Sequence, residues 1–279
     1  MEIEVMLIAQ FSDTHIKPAG QLAYGVADTH QMLKSALQHV QLLPQTPDLM
    51  VITGDLVDAG SVVEYERLHT LLQDLPMPYL LIPGNHDDRG NMRKVFHQHP
   101  WLDEQGFWQY RAFSADWPIQ ILALDTVNAG ESGGRLCAQR LSWFEQQLHQ
   151  TTDIPTLVMM HHPPFATGIG HMDEIGLDDA EKFSEILKKY SHIELVICGH
   201  LHRNIRATVG GRSVMISPST AHTVQLDLAL DAKAMFRMEP PAYLLHQWSK
   251  NCFITHHVNA VQSPGPYPFF NNEGQLIMS

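Results

Sequence analysis

With 279 residues, 44% of them hydrophobic and 17% charged, the chain is long enough to bury a substantial core and too apolar to remain disordered. A formal net charge of -12 opposes a long nucleic-acid surface or a polybasic membrane patch. Three cysteines, Cys137, Cys198 and Cys252, are too few and too scattered for a disulfide framework or a thiolate metal cage. The first residues carry acids ahead of a short apolar segment, unlike a signal peptide, and no stretch approaches the length of a membrane span. The expectation is therefore a soluble, cytoplasmic protein. Histidine is the compositional outlier: 18 residues, as many as Lys and Arg together.

Taken in chain order, strand-length apolar runs alternate with helical stripes. Residues 5–11 lead into Ser12-Asp13-Thr14-His15, and Met32, Leu33, Ala36, Leu37 and Val40 then repeat with helical spacing. Residues 48–53 lead into Gly54-Asp55 and are followed by a stripe of Leu68, Leu71, Leu72 and Leu75. Residues 79–83 lead into Gly84-Asn85-His86-Asp87, whereas residues 119–125 end without a comparable polar cluster. After a stripe of Leu141, Phe144 and Leu148, residues 155–160 lead into His161-His162. After Phe183, Ile186, Leu187 and Tyr190, residues 193–198 lead into Gly199-His200-Leu201-His202. Runs apolar on both faces suit inner strands of a covered sheet, so the alternation predicts an α/β fold. A hairpin turning at Gly210-Gly211 follows. The expected division is a catalytic domain over residues 1–230 and a C-terminal cap or oligomer-contact extension over 231–279, where aromatics sit among prolines. A simple wrap over the core is the alternative for that tail.

Five of the apolar runs end in residue types that bind metals: Asp13 with His15, Asp55, Asn85, His161, and His200 with His202. In α/β sheets ligands bind beyond the carboxyl ends of strands, so clusters distant in sequence can converge. An Asp-x-His or His-x-His pair on extended chain points both side chains to one side, leaving Thr14 and Leu201 pointing away. In order, the motifs read DTH, GDLVD, GNHD, HHPP and GHLH over residues 13–202. Together they resemble the calcineurin-like metallophosphoesterase superfamily. The pieces SDTH, PGNHDD and MHHPPF with Met172-Asp173 are most similar to its bacterial cyclic-nucleotide phosphodiesterases and glycerophosphodiesterases.

That resemblance implies a four-layer sandwich of two β-sheets flanked by helices, and a binuclear centre. It assigns Asp13, His15, Asp55 and His202 to one metal and Asp55, Asn85, His161 and His200 to the other, with Asp55 bridging. Oxygen and imidazole donors without thiolate suit Fe, Mn, Zn or Co, as two divalent ions or a mixed-valence pair. Such a pair can hold one bridging hydroxide and clamp a phosphoryl group. His86 is the candidate to bind a phosphate oxygen and protonate the leaving alkoxide, with Asp87 expected to orient its ring. The catalytic set is thus His86, Asp55 and Asn85.

Other residues near the motifs are read more plainly. His162 divides between a supporting and a core role, Asp58 reads as a turn carboxylate, and Arg89 and Arg203 read as solvated. His256 and His257 match no motif and read as structural. Residues 164–177, with glycines at 168, 170 and 176, read as a loop over the site. Ala59 and Gly60 stand where the superfamily's protein phosphatases carry an arginine, and Asp87 stands where they carry glutamate, which argues against protein dephosphorylation. With two divalent ions, two ligand carboxylates and a hydroxide, the centre retains one positive charge, matching a diester monoanion. The expected activity is hydrolysis of a small phosphodiester of the cyclic-nucleotide or glycerophosphodiester type by a metal-bridging hydroxide. The alternative is a phosphomonoesterase using the same metal site. The expected partner is that small substrate, with no long nucleic acid, no membrane, and a homo-oligomeric assembly.

Overall fold

In the computed structural model, which describes residues 5–99, 106–229 and 231–277, the apolar runs are strands and the spaced stripes are helices. In chain order the elements are β1 (Met6–Phe11), α1 (Thr29–Gln41), β2 (Leu49–Thr53), α2 (Val62–Leu72), β3 (Tyr79–Ile82), α3 (Arg89–Val95), β4 (Tyr110–Ala112) and β5 (Gln120–Ala123). They continue as β6 (Gly134–Arg135), α4 (Ala138–Gln150), β7 (Thr156–Met159), α5 (Gly170–Asp173), β8 (Leu177–Asp178), α6 (Ala180–Lys189) and β9 (Ile193–Cys198). The last are β10 (Ile205–Val209), β11 (Arg212–Ile216), β12 (Thr223–Val224), β13 (Phe236–Arg237), β14 (Ala242–Ser249) and β15 (Cys252–Asn259).

Sheet one runs β15-β14-β1-β2-β3 and sheet two runs β10-β11-β9-β7-β5-β4. Strands β1, β2 and β3 are parallel, as are β5, β7, β9 and β11. Strands β14, β15, β4 and β10 join antiparallel. Side-chain alternation sorts sheet two between two cores. Ile121, Ala123, Leu157, Met159, Leu195 and Ile197 pack with sheet one and with Leu33, Leu68 and Met92 of α1, α2 and α3. Leu122, Leu124, Val158, Met160, Val196 and Cys198 pack instead with Phe144 of α4 and Phe183 of α6. The layers are therefore helices, sheet one, sheet two, helices, which is the expected four-layer sandwich. Each fully buried Leu, Ile or Phe contributes about 1.5–3 kcal/mol relative to leaving it exposed.

Local signals agree with this frame. Ser61 and Glu64 form a reciprocal capping box at the start of α2. Asp88 caps α3 by accepting from Asn91 N at 2.7 Å, which fixes the chain directly after the GNHD motif. The hairpin of β10 and β11 turns at Gly210 and Gly211, with φ of 56° and 78°, values that only glycine adopts without strain. Among the described residues no helix is long and apolar enough to cross a membrane.

The C-terminal region differs from the expected cap or contact in one respect: residues 242–259 supply two strands of sheet one. Strand β14 pairs with β1 from Met6↔Trp248 to Gln10↔Leu244. Its burial alternates from Leu244 to Ser249, but the sequence does not, since Tyr243 and Leu245 are apolar on the less buried face and the buried position 246 is a histidine. The segment after β15 is exposed, with Tyr267, Phe269 and Phe270 at 75%, 80% and 57%.

Candidate metal centre

The loops after β1, β2, β3, β7 and β9 meet at one end of the two sheets. They do so at a local energetic cost. Of nine non-glycine residues with positive φ among the described residues, five are Asp13, His15, Asp55, His200 and His202. Each such conformation costs on the order of 1–3 kcal/mol and persists only where surrounding structure demands it. The D-x-H and H-x-H pairs are thus not extended, as the sequence alone implied. They share a side through left-handed residues at both ends of each triplet. Thr14 does point away, donating to Leu56 O at 2.6 Å, and Leu201 joins the core of sheet two.

All seven expected ligands are brought together. Ligand atoms of Asp13, His15, Asp55 and His202 lie within 4.8 Å of one another. His15 Nε2 is 3.2 Å from His202 Nε2 and 3.6 Å from Asp55 Oδ2, and His202 Nε2 is 3.5 Å from Asp13 Oδ1. On the other side, Asn85 Oδ1 is 3.2 Å from His161 Nε2 and 3.1 Å from His200 Nδ1. Asp55 spans the two groups, since its Oδ1 is 3.5 Å from His161 Nε2. His86 adjoins them, with its backbone N–H donating to Asp55 Oδ1 at 2.9 Å.

The tautomers are set from outside. His161 Nδ1 donates to Thr53 O at 2.8 Å, His202 Nδ1 to His222 O at 2.8 Å, and His200 Nε2 to Ile175 O at 3.1 Å. In its neutral form each ring therefore turns a lone pair inward, the arrangement that metal-bound histidines require. Those lone pairs face carboxylate oxygens, the Asn85 carbonyl oxygen or one another. Acceptor facing acceptor in a buried space is unfavourable unless a cation or a proton lies between. Nitrogen and oxygen donors, no thiolate and engaged outer nitrogens fit divalent metal ions.

Electrostatics point the same way. Burial pushes Asp13 up to about 6, against the opposing charge of His161. Burial would also raise Asp55, but His161, through charge and close approach, outweighs it together with His86 and His15 and holds Asp55 well below the carboxylate range. The same pair lifts His161 to about 9 although burial opposes it. Burial lowers His202 to about 3, reinforced by His15, and lowers His200 well below its ordinary value.

The neighbouring residues settle into clear positions. His162 is buried, with Nδ1 2.8 Å from Thr126 Oγ1 and Nε2 3.1 Å from Ser132 O, so neither nitrogen is left for an ion. Its ring packs 4.5 Å from that of His200. Asp87 does not orient the His86 ring as expected. Its carboxylate accepts from Gly84 N, Leu56 N and Tyr65 Oη at 2.8, 3.0 and 2.9 Å, which ties the GNHD loop to the loop after β2. His86 Nδ1 donates instead to Asp58 O at 2.7 Å. The Asp58 carboxylate, expected to brace a turn, lies 3.5 Å from His15 Nδ1 and 2.5 Å from Lys17 Nζ. Arg89 is not a solvated residue: it grips the fully buried Asp125 with Nε and Nη2 at 2.5 and 2.7 Å. Arg203 donates to Val224 O at 2.7 Å and Glu239 Oε1 at 3.2 Å. His256 and His257 are exposed on β15, where His257 Nδ1 accepts from Asn204 Nδ2 at 3.3 Å. The loop at 164–177 contains α5 and reaches the site through Ile175 O.

Sequence reasoning missed His222 and Asp125. His222 is buried beside His15 and His202, with ring centroids 5.3 and 4.5 Å away, and its Nδ1 has no partner. Tyr24 packs edge-on against it at 4.9 Å. His222 follows no apolar run and belongs to no motif. Asp125 does end an apolar run, which was its only signal.

The chain is similar to known proteins. A calcineurin-like phosphoesterase family profile matches residues 6–204. Over 275 residues the chain is 38% identical to a probable glycerophosphodiester phosphodiesterase, GpdQ, of Arcobacter nitrofigilis, covering 98% of this chain and 100% of that one. Over 269 residues it is 28% identical to the 3',5'-cyclic adenosine monophosphate phosphodiesterase CpdA of Vibrio vulnificus, covering 96% and 94%. Among solved structures, a dimetal phosphatase from Danio rerio matches with a TM-score of 0.64 at 14% identity, over 90% of this chain and 98% of that one, a likeness of fold. Since the profile covers most of its length and GpdQ matches it nearly end to end, the chain belongs to the calcineurin-like phosphoesterase family.

Proposed function

We propose that the chain hydrolyses small phosphodiesters, of the glycerophosphodiester or 3',5'-cyclic nucleotide type, at a two-metal centre bridged by Asp55. As a calcineurin-like phosphoesterase it is a hydrolytic enzyme. The observation that carries the reading is the convergence of Asp13, His15, Asp55 and His202 on one side of Asp55 and of Asn85, His161 and His200 on the other. When bound, the ions supply a water acidic enough to ionise near neutral pH and positive charge to offset that of the phosphoryl oxygens.

The chain's own residues do the rest. Asp13, His15, Asp55 and His202 would hold one ion, and Asp55, Asn85, His161 and His200 would hold the other. Thr53 O, His222 O and Ile175 O keep the histidine rings turned inward. His86, anchored through Nδ1 on Asp58 O, keeps Nε2 free to hydrogen-bond a phosphoryl oxygen and to pass a proton to the departing alkoxide. Arg89 and Arg203 are engaged by Asp125 and Glu239, so neither offers extra positive charge for a monoester dianion. That favours diesters. The exposed aromatics after β15 supply a contact between copies of the chain.

The test is side-by-side kinetics with bis-nitrophenyl and mono-nitrophenyl phosphate at fixed metal loading, followed by glycerophosphodiesters and cyclic nucleotides. A higher kcat/KM for the diester is expected. A clear monoester preference would replace this reading with a phosphomonoesterase.

A further inference from the structure

The inner face of sheet one carries a line of polar side chains in an otherwise apolar layer. Thr255 on β15, His246 on β14, Gln10 on β1 and Thr53 on β2 cross four neighbouring strands. Gln10, Thr53 and His246 are fully buried. Burying an amide and an imidazole between packed sheets is costly unless each polar atom finds a partner. Here the partners are present. His246 Nδ1 is 2.8 Å from Thr255 Oγ1, and its Nε2 is 3.0 Å from Gln10 Oε1. Gln10 Nε2 donates to Thr53 Oγ1 at 3.0 Å and to Cys198 O at 2.9 Å.

The direction of these bonds is fixed by chemistry. Cys198 O can only accept, so the Gln10 amide nitrogen faces sheet two and its oxygen faces His246. His246 Nε2 must then donate, which leaves Nδ1 to accept from the Thr255 hydroxyl. A side chain without a donor at 246 would free the Gln10 amide to turn.

The line ends beneath the ligand loops. Thr53 directly precedes Gly54-Asp55, and its carbonyl accepts from His161 Nδ1 at 2.8 Å. Cys198 directly precedes Gly199-His200, where a Cβ on Gly199 would strike Ser12 Oγ and Thr53 O. Gln10 itself lies just ahead of Ser12-Asp13 on β1. One amide thus joins the backbone under His200, from sheet two, to the strands that carry Asp13 and Asp55, from sheet one.

We infer that Gln10, oriented by His246, is a positioning residue that sets the spacing between the sheet-one and sheet-two halves of the metal centre. The inference rests on the two-metal reading above. It gives β14, which lies beyond the residues matched by the family profile, a part in the site.

The experiment compares wild type, Gln10→Leu, His246→Leu and Ile8→Ala, each stripped with chelator and titrated with Mn(II) by calorimetry and electron paramagnetic resonance. Ile8 is fully buried on the same face of β1, so Ile8→Ala measures plain loss of packing. Wild type should take up two ions and give the spectrum of a coupled pair. Gln10→Leu should bind Mn(II) about 10-fold more weakly or worse, the scale seen when outer partners of metal ligands are removed, with a changed pair spectrum. His246→Leu should shift both in the same direction by less. Ile8→Ala should lower Tm and leave affinity and spectrum alone. If Gln10→Leu lowers Tm as Ile8→Ala does but keeps wild-type affinity and spectrum, the positioning role is wrong. Should Gln10→Leu fail to fold, His246→Leu carries the same comparison. A wild type that takes up no pair would instead remove the two-metal reading itself.

Discussion

The loops of sheet one and those of sheet two bring opposite chemistry to the same place. Sheet one supplies the carboxylates, Asp13, Asp55, Asp58 and Asp87, on the loops after β1, β2 and β3. Sheet two supplies imidazoles, His161, His162, His200 and His202, on the loops after β7 and β9. The first set is costly to bury: Asp13 rises to about 6, chiefly through burial and further through the charge of Asp55. Within the second set, burial holds His162 and His202 neutral by lowering each to about 3, and lowers His200 as well. Only the Asp55–His161 pair crosses between them with both partners favouring charge. Neither half is a site without the other, and positive charge between them is what makes their meeting favourable.

Removing that charge should produce the largest effect. Chelation should abolish diester turnover by ~10³-fold or more, since bound ions supply several kcal/mol of charge stabilisation. Turnover should return with Mn, Co, Zn or Fe, as followed with bis-nitrophenyl phosphate. Turnover that survives complete, verified metal removal would show that the halves work without ions. Next comes His86, which borders the metal centre without being placed among its ligands. His86→Ala should keep its metal content and lose ~10²–10⁴ in rate, the usual span for a general acid. The loss should shrink for nitrophenolate, which needs little protonation on leaving. An equal loss for all leaving groups would make His86 a phosphate binder.

A third change breaks a tie between the halves away from the ions. Arg89, at the start of α3 after the sheet-one motif, holds Asp125 at the end of a sheet-two strand. Arg89→Met would leave that buried carboxylate with the more distant Arg140 at 3.6 Å as its remaining cation, beside the backbone N–H groups of Trp108 and Val127 that donate to it at 2.7 and 2.9 Å. A loss of about 3 kcal/mol in unfolding free energy is expected. Chemical denaturation that shows no loss would mean that Arg140 suffices.

The smallest effect is a pH dependence of the metal-free protein. His162, His202 and His246 are lowered to about 3 by burial from an ordinary 6.5. Unfolding therefore takes up protons between those values, so the stability these three carry is fully present above pH 6.5 and falls as pH drops toward 3. The slope is about 1.4 kcal/mol per pH unit for each proton. Asp13 and Asp87, each raised to about 6 from 3.8, work in the opposite sense within that window but are outnumbered. Denaturation midpoints at pH 7, 6 and 5 should fall in that order, and flat midpoints would contradict the burial argument.

The comparison also explains what the sequence could convey. Each half of the site announces itself because its ligands follow apolar runs, and a strand end is where an α/β sheet collects its ligands. Periodicity alone indicated α/β; the layers followed from the resemblance and from the way the two faces of sheet two divide between cores. What stayed hidden depends on geometry at the scale of one bond. Asp87 was expected to hold His86, yet its oxygens turn toward Gly84 N, Leu56 N and Tyr65, while a carbonyl, Asp58 O, holds the ring. Backbone acceptors leave no mark in sequence. His222 stands outside every motif, and its place beside His15 depends on the chain path after β11. Strand β14 escaped notice because apolar Tyr243 and Leu245 on its less buried face blur the alternation in the sequence, and buried His246 on its inner face looked like an interruption.

Metal stoichiometry in two single variants tests the account most directly. Asp55 is read as serving both ions and His202 as serving one. Elemental analysis of dialysed protein should find two ions in wild type, close to none in Asp55→Ala and about one in His202→Ala. Two ions retained in Asp55→Ala, or equal losses in the two variants, would contradict a centre in which one sheet-one carboxylate joins the two halves.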